Sequence, residues 1–194
     1  MDKKAFIFIG RSGCGKGTQA KLLVDAIKDK KDENVYYVAT GDEFRKVLDA
    51  GTYMSSRLKE VVGKGGFAPS FAATLMWSTA LFRDLKENDH VMIDGSPRSL
   101  SEAQVLDSVF PFLDLAPVVI YINVSREWAS DRLRARGRHD DSDTGINSRM
   151  NLFESDIIPV LEFYKSREYP EILEINGEQH IDDVHEDLKK ALGL

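Results

Sequence analysis

A glycine-rich segment at positions 10–18, with the sequence Gly-Arg-Ser-Gly-Cys-Gly-Lys-Gly-Thr, constrains the fold of this chain more than any other feature. It directly follows the apolar run Ala5–Ile9 and leads into a helical pattern at about 16–30. Glycines let the main chain wrap around an anion with its N–H groups turned inward, and the helix N-terminus adds positive potential. A loop of this composition between a strand and a helix predicts a site for nucleotide phosphates.

The segment has the spacing of a P-loop, and Lys16 is placed to reach β- and γ-phosphates. It departs from the general pattern at Gly17, where Ser or Thr is usual, and Thr18 comes one position later. We interpret the side chain of Cys14 as a small filler of the loop. The loop residues expected to bind a nucleoside triphosphate are Gly13, Cys14, Gly15, Lys16, Gly17 and Thr18.

Short β-rich apolar runs alternate with amphipathic stretches along the whole chain. This alternation predicts an α/β fold with a parallel five-stranded sheet and helices on both faces, and the phosphate loop identifies it as the P-loop NTPase type. We find no repeat or linker, so residues 1–194 are predicted to form one domain, with a small insertion at about 41–70. The predicted strands are Ala5–Ile9, Val35–Ala39, His90–Ile93, Val118–Val124 and Ile172–Ile175.

Local spacing gives further structural predictions. Thr40 with Glu43, and Ser101 with Gln104, have the spacing of capping boxes and predict two helix starts. Apolar side chains recur at helical spacing between 71 and 82. We interpret them as core residues in preference to a wall on which a nucleotide base stacks.

Composition excludes several classes of protein. The 194 residues include 26 Lys and Arg against 32 Asp and Glu, a net charge of −6, so broad binding of nucleic acid or of anionic membranes is not expected. The single cysteine excludes an internal disulfide framework. No apolar run has the length of a membrane span or the features of a signal peptide, so we expect a cytoplasmic protein.

Four motifs, in this order along the chain, resemble the adenylate kinase family of nucleoside monophosphate kinases. The first is the Gly-Lys-Gly-Thr end of the phosphate loop. The segment 40–45 resembles the monophosphate-binding segment, and 94–98 is similar to the Asp-Gly-x-Pro-Arg signature. Residues 136–141, followed by Arg149, resemble the arginine-rich lid of short-lid members. The resemblance covers almost the whole chain and implies a nucleoside-monophosphate-binding insertion and a very short lid at about 136–145.

The implied activity is reversible phosphoryl transfer from ATP to a nucleoside monophosphate, with AMP favoured (ATP + AMP = 2 ADP). Such a reaction brings two dense clusters of negative charge together, so its site needs cations. Lys16, Arg45 and Arg98 follow predicted strands, at the edge of a parallel sheet where ligands bind. The resemblance implies that Arg45 and Arg98 hold the phosphate of the monophosphate.

The remaining cations flank the lid. By resemblance, Arg138 and Arg149 would contact the transferring group, Arg132 would stack on the base of ATP, and Arg136 would approach its phosphates. Asp94 ends the third predicted strand, where its carboxylate suits a magnesium ion bound through water. The implied catalytic residues are Lys16, Asp94, Arg98, Arg138 and Arg149.

The lid lacks the four cysteines of a zinc cluster, so no structural zinc is expected beside Mg²⁺. No general base is required, because the attacking phosphate oxygen is already ionised.

The choice of monophosphate depends on the position four residues after Arg98. Adenylate kinases have a glutamine there that binds the adenine edge, and this chain has Glu102. An ionised carboxylate only accepts hydrogen bonds, which costs roughly 1–3 kcal/mol against adenine and suits guanine. Alternatively, Gln104 or the main chain near Phe67 contacts the base and Glu102 faces water. The residues implied to bind the monophosphate are Thr40, Gly41, Arg45, Phe67, Gly95, Arg98 and Glu102.

Several functions therefore remain open. Within the same family, GMP, CMP or UMP could replace AMP as the acceptor. A P-loop kinase of a small hydroxylated metabolite would need a base, for which Asp42 is the candidate. A non-catalytic nucleotide-binding module would not need Arg138 and Arg149 on a transferring group. The expected partners are ATP and a nucleoside monophosphate, without nucleic acid or membrane, and the expected state is a monomer.

Overall fold

The structure is a computed structural model that describes residues 3–30, 33–63, 66–137, 141–167 and 169–194. Its centre is one five-stranded sheet in the order β2-β3-β1-β4-β5, in which all neighbouring strands are parallel. This confirms the predicted fold class. The strands are β1 (Lys4–Ile9), β2 (Asn34–Ala39), β3 (Asp89–Asp94), β4 (Ala116–Asn123) and β5 (Glu171–Asn176).

Helices connect the strands and cover both faces of the sheet. One π-helical turn, Phe153–Ile157, joins two of them. No helix in the described ranges is both long and apolar enough to cross a membrane. The helices are α1 (Lys16–Lys28), α2 (Thr40–Leu48), α3 (Tyr53–Gly63), α4 (Ser70–Asp84), α5 (Leu100–Asp107), α6 (Val109–Phe112), α7 (Arg126–Arg136), α8 (Asp143–Leu152), α9 (Ile158–Lys165) and α10 (Ile181–Leu192).

Each face of the sheet has its own core, because successive side chains of a strand point to opposite sides. Ala5, Ile7 and Ile9 of β1 pack on the side of α4, α5 and α9. Phe6 and Phe8 pack on the other side, with α1, α7, α8 and α10. Burial on both faces explains why β1 is continuously apolar.

The segment between β2 and β3 carries a small core of its own. Phe44 of α2, Leu58 of α3 and Ala72 of α4 are buried together, with Val47 and Leu48 packed against them. This cluster fixes α2 and α3 beside the end of β2. Both ends of the insertion therefore lie next to the carboxyl edge of the sheet.

Two helices begin as predicted, after β2 and β3, but the predicted residues do not cap them. Thr40 lies in the first turn of α2, whose N-cap is Ala39 and has no side-chain hydrogen bond. Ser99, rather than Ser101, caps α5 by accepting a hydrogen bond from the N–H of Glu102 at 3.3 Å. The cap prediction at Ser101 was wrong because Ser99 and Glu102 have the same spacing and form the cap instead. The cap prediction at Thr40 was wrong because Thr40 already lies within the helix, where its hydroxyl is buried and makes no capping hydrogen bond.

The apolar segment of α4 is a core element on one face only. Trp77 and Leu81 are buried, as predicted, whereas Phe71, Leu75 and Phe82 are exposed. The prediction of core packing is therefore wrong for these three side chains. The apolar side chains of α4 extend around more of the helix than the sheet can cover, so those on the far side are exposed.

Candidate active site

The phosphate loop connects β1 to α1 and is held by its own main chain. Gly10, Gly13 and Gly15 have φ angles of 153°, 91° and 98°, in a region that L side chains rarely adopt. A Cβ atom on Gly13 would lie 2.8 Å from the carbonyl oxygen of Ala129 in α7. The loop therefore keeps its shape through glycine, and the first turn of α1 leaves N–H groups directed at its hollow.

Cys14 and Thr18 of the loop differ from each other in burial. Cys14 is buried in the core beneath the loop, consistent with the filler role, and its N–H donates to the carbonyl of Arg11 at 3.2 Å. Thr18 is exposed on the first turn of α1.

The ammonium group of Lys16 closes the mouth of the loop. Its Nζ donates to the carbonyl oxygens of Gly10 at 2.8 Å and Arg11 at 2.9 Å. Lys16 also lines a cleft, which we call the phosphate cleft, together with Gly10, Gly95, Arg98 and Arg149. Three of the predicted catalytic cations thus meet in one place.

Asp94 ends β3 directly beside the start of α1. A Cβ atom on Gly17 would lie 3.1 Å from Oδ2 of Asp94, closer than nearly all real contacts of that kind. Glycine at this position, where other phosphate loops have Ser or Thr, leaves room for the carboxylate without any displacement. Oδ2 accepts a hydrogen bond from the hydroxyl of Tyr37 at 3.0 Å. Burial, followed by the charge of Asp94, raises the pKa of Tyr37, so its hydroxyl stays protonated.

Arg98 lies at the junction of two cavities. Besides the phosphate cleft it lines a second cavity of about 350 Å³, which we call the lateral cavity, with Phe67, Ser70, Glu102 and Asp156. That volume falls in the range of ligand pockets. The guanidinium lies 5.1 Å from the centre of the Phe67 ring. Burial lowers the pKa of Arg98, and Arg149 is close enough to lower it further.

Thr40, Gly41 and Gly95 meet beside Arg98. A Cβ atom on Gly95 would lie 3.3 Å from Nη2 of Arg98 and 3.9 Å from both Gly41 N and Thr40 Cβ. The hydroxyl of Thr40 is buried and has no hydrogen-bond partner among the residues that the structure describes. Buried polar atoms usually have a partner, and this hydroxyl belongs to a residue that lies close to Gly95, next to Arg98.

Glu102 faces the lateral cavity, and Gln104 is exposed on the other side of α5. Glu102 is only 1% exposed, and its Oε2 accepts a hydrogen bond from the N–H of Arg98 at 2.8 Å. Burial raises the pKa of Glu102, because Ser96, Arg98 and the other polar neighbours stabilise the charged form only in part. The alternative in which Glu102 faces water is therefore wrong.

The segment predicted to be the lid connects α7 to α8, and among its described residues Asp141 joins two of the predicted arginines. Asp141 accepts two hydrogen bonds from Arg136, at 2.8 and 2.9 Å, and one from Arg149 at 2.7 Å. Arg149 is mostly buried, 9% exposed. Arg138, predicted to contact the transferring group, lies outside the described residues.

Two predicted cations lie elsewhere. Arg45 is 62% exposed at its side chain and forms an ion pair with Asp42. Arg132 stacks on the ring of Trp128, 4.3 Å from its centre. Neither is among the residues that line the two cavities described above.

The sequence analysis missed Arg11 and Tyr37. Arg11 donates to the carbonyl of Val124 at 3.0 Å and to Glu154 at 2.6 Å, and it stacks 4.0 Å above Phe153. It thereby fixes the phosphate loop to the end of β4 and to the π-helical turn. Arg11 occupies a variable position of the loop motif, and Tyr37 lies within an ordinary β pattern, so neither gave a signal.

The residues at the end of β3 fit a magnesium ion bound with nucleotide. Within the described part of the chain, no group of three or more His, Cys, Asp or Glu could hold a metal ion alone. Mg²⁺ usually keeps several waters and binds through one or two carboxylates together with substrate phosphates. A single carboxylate, Asp94, beside the phosphate loop meets that requirement.

Comparison with known proteins gives a consistent result. A sequence model described as adenylate kinase matches residues 8–169. The chain belongs to the adenylate kinase family. The adenylate kinase of Corynebacterium urealyticum is 30% identical over 181 residues, which is 93% of this chain and 94% of that protein.

Two further adenylate kinases match over almost their full lengths. That of Prochlorococcus marinus (strain NATL1A) is 31% identical over 98% of this chain and 100% of its own length. That of Nautilia profundicola is 28% identical over 98% and 96%, respectively. Membership of the adenylate kinase family confirms the resemblance, and with it the prediction of a nucleoside monophosphate kinase.

Proposed function

We propose that this protein catalyses the reversible transfer of the terminal phosphoryl group of ATP to AMP, which yields two molecules of ADP. One observation carries the proposal: Arg98 lines both the phosphate cleft and the lateral cavity. A donor whose phosphates lie in the loop and an acceptor whose base lies in the lateral cavity then meet at this arginine. The related adenylate kinases support AMP as the acceptor.

The residues of the phosphate cleft act by holding charge and by alignment. Lys16 exchanges its hydrogen bonds with the loop carbonyls for bonds to the phosphates of ATP. Arg98 and Arg149 bind the acceptor phosphate and the transferring group, and Arg138 is assigned to the transferring group on the resemblance alone. Preorganised cations of this kind, in a site from which water is excluded, supply most of the acceleration of phosphoryl transfer.

The donor and acceptor ends are completed by other residues of this chain. Gly13–Thr18 wraps the donor phosphates, with Arg136 approaching them and Arg132 against the donor base. Thr40, Gly41, Arg45, Phe67 and Gly95 surround the acceptor. Asp94 would hold Mg²⁺ through water. The ion, when bound, neutralises phosphate charge and orients the phosphates.

Glu102 is compatible with AMP when it is protonated. A neutral carboxyl group has one O–H donor and one carbonyl acceptor, which is the pattern that a glutamine amide offers to adenine. Burial already favours the neutral form of Glu102, and the negative charge of the AMP phosphate at the neighbouring Arg98 favours it further. The preference for AMP over GMP, CMP and UMP in this proposal rests on the related adenylate kinases.

The geometry does not favour the two other candidate functions. Asp42, the candidate base of a metabolite kinase, is paired with Arg45. A module that only binds nucleotide has no use for Arg98 and Arg149 converging beside Lys16.

A coupled assay of ADP formation tests the proposal. Mg-ATP is combined separately with AMP, GMP, CMP, UMP and dTMP at equal concentrations, and a sample without acceptor corrects for hydrolysis. Selective turnover of AMP is the expected result. Turnover of another monophosphate would overturn the choice of AMP, and no turnover by folded protein that binds ATP would overturn the kinase assignment.

We propose further that the protein acts as a monomer in the cytoplasm. Both cavities are lined by one chain, so no second copy is needed to complete them. Light scattering at the concentration of the assay is expected to give 21.8 kDa, and cell fractionation is expected to recover the activity with cytoplasmic markers. A mass of twice that value, or recovery with membranes, would contradict the respective statement.

A further inference from the structure

The carboxylate of Asp94 is held between two elements that are far apart in the sequence, α1 and β2. On one side Gly17, in the first turn of α1, leaves the space that Oδ2 occupies. On the other side the hydroxyl of Tyr37 donates a hydrogen bond to the same oxygen at 3.0 Å. The carboxylate is thereby fixed between the phosphate loop and β2.

The strand register places Tyr37 at the right distance for this contact. In the parallel pair of β2 and β3, Tyr37 lies opposite Met92, and Ala39 lies opposite Asp94. Met92 and Asp94 are two residues apart on one strand, so their side chains point to the same face of the sheet. A phenol is long enough to cross this diagonal, so its hydroxyl reaches the carboxylate.

Tyr36 serves as an internal control, because it has the same side chain on the same strand and points to the other face. Its hydroxyl donates to the carbonyl of Ala80 at 3.0 Å and to Asp84 at 3.2 Å. It therefore fixes β2 to α4, on the side away from Asp94.

We propose that Tyr37 is a positioning residue that orients the Asp94 carboxylate toward the magnesium ion of the bound nucleotide. An ionised carboxylate offers about four lone-pair sites, and the hydroxyl of Tyr37 uses one of them on Oδ2. The remaining sites are then presented in one orientation to the waters of the ion. This inference rests on the proposed use of Mg-ATP and assigns a role that acts through Asp94.

Calorimetric titration with ATP, over a series of Mg²⁺ concentrations and in its absence, tests the inference without turnover. For Tyr37→Phe we expect the Mg²⁺ concentration that gives half of the metal-dependent gain in ATP affinity to rise about tenfold. That is the lower end of the effect of removing a partner that orients a metal-binding carboxylate. The affinity for ATP without metal should be unchanged. Tyr36→Phe should leave both quantities at wild-type values.

Several outcomes would overturn the proposal. The first is a Mg²⁺ dependence of ATP binding in Tyr37→Phe that equals that of the wild type. The second is a shift in Tyr36→Phe as large as that in Tyr37→Phe. The third is a loss of ATP affinity in Tyr37→Phe that is as large without Mg²⁺ as with it. Asp94→Asn and the double variant Tyr37→Phe/Asp94→Asn complete the test, because Tyr37→Phe should add nothing once the carboxylate is gone. An additive second effect would show that the tyrosine acts elsewhere. Wild-type turnover of AMP is scored separately, so failure of the proposed function is distinguishable from failure of this inference.

Discussion

The phosphate loop is built from main chain, whereas the lateral cavity is built from side chains of separate elements. Three glycines with positive φ and the carbonyls that bind Lys16 set the shape of the loop. The lateral cavity depends on Phe67, Arg98 and Glu102, which come from two loops and α5. A main-chain site binds what all nucleotides share, the phosphates, and a side-chain site can be altered to choose among bases.

The difference also appears in the polar atoms of the two regions. Lys16 is fully engaged with the carbonyls of its own loop. Beside Arg98, which lines the lateral cavity, Thr40 Oγ1 is buried and has no hydrogen-bond partner among the described residues. We therefore expect changes in the loop to affect the reaction with every acceptor, and changes around the cavity to depend on the acceptor.

The largest effect is expected in the phosphate loop. Lys16→Ala should lower kcat by a factor of about 10²–10³, the loss typical of removing one preorganised hydrogen-bond donor that stabilises the transition state. The loss should be the same for every acceptor. The coupled assay measures this, and thermal unfolding checks the fold. Lys21→Ala, an exposed lysine of the same helix, is the matched control. Full activity in Lys16→Ala would remove the lysine from the mechanism.

The next effect is expected at the junction of the two cavities. Arg98→Ala should raise the KM for AMP about 10- to 100-fold, because a hydrogen bond to a charged group contributes about 1.5–3 kcal/mol, and kcat should fall as well. The Kd of ATP should change little, since the loop is intact. Arg57→Ala, an exposed arginine of α3, is the control. An equal loss of ATP and AMP affinity would contradict the division into two regions.

A smaller, pH-dependent effect is expected at Glu102. Its pKa in the folded protein is raised by burial, so the protonated form that matches adenine is lost as pH rises through that value. The KM for AMP should therefore rise with pH, by up to about tenfold, in addition to any change due to the second ionisation of the AMP phosphate near pH 6. Glu102→Gln should abolish this dependence.

The matched control for Glu102→Gln is Glu127→Gln on the exposed side of α7, which should behave as wild type. The same pKa shift predicts a stability effect of defined sign. Ionised Glu102 is disfavoured in the folded state, so the wild type loses stability as pH rises above the unfolded pKa. Glu102→Gln should gain more in Tm at pH 8 than at pH 5. A gain that is equal at both pH values would contradict the assignment.

The smallest effect is expected at the donor base. Arg132→Ala should weaken ATP binding about two- to fivefold, since an exposed contact between a cation and a ring contributes about 0.5–1 kcal/mol. Fluorescence of Trp128, on which Arg132 stacks, should change on ATP binding in the wild type and less in the variant. Arg134→Ala on the same helix is the control. Unchanged ATP affinity in Arg132→Ala would place this arginine outside the donor site.

The sequence predicted the sheet and the phosphate loop well, because both depend on local patterns. A continuous apolar run such as Ala5–Ile9 needs cover on both faces, and a glycine-rich turn between a strand and a helix has few other uses. The helix caps at Thr40 and Ser101 were wrong because spacing alone does not tell which of several hydroxyls the backbone uses.

The parts of the site that the sequence did not predict depend on contacts between distant segments. The hydrogen bond from Tyr37 to Asp94 spans 57 positions, and that from Arg11 to Glu154 spans 143. The inward direction of Glu102, with Gln104 exposed two residues later, depends on how α5 packs on α4 and α9. No periodicity within one segment encodes such pairings.

Because Gly17 has no Cβ atom and lies against Asp94, the substitutions that position 17 tolerates depend on the side chain at position 94. A serine there, usual in other phosphate loops, would require the side chain at position 94 to move by a few tenths of an ångström. The tolerance of position 17 for a larger side chain therefore depends on how far the carboxylate of Asp94 can move while it accepts the hydrogen bond from Tyr37. Varying positions 17 and 94 together would measure this dependence directly.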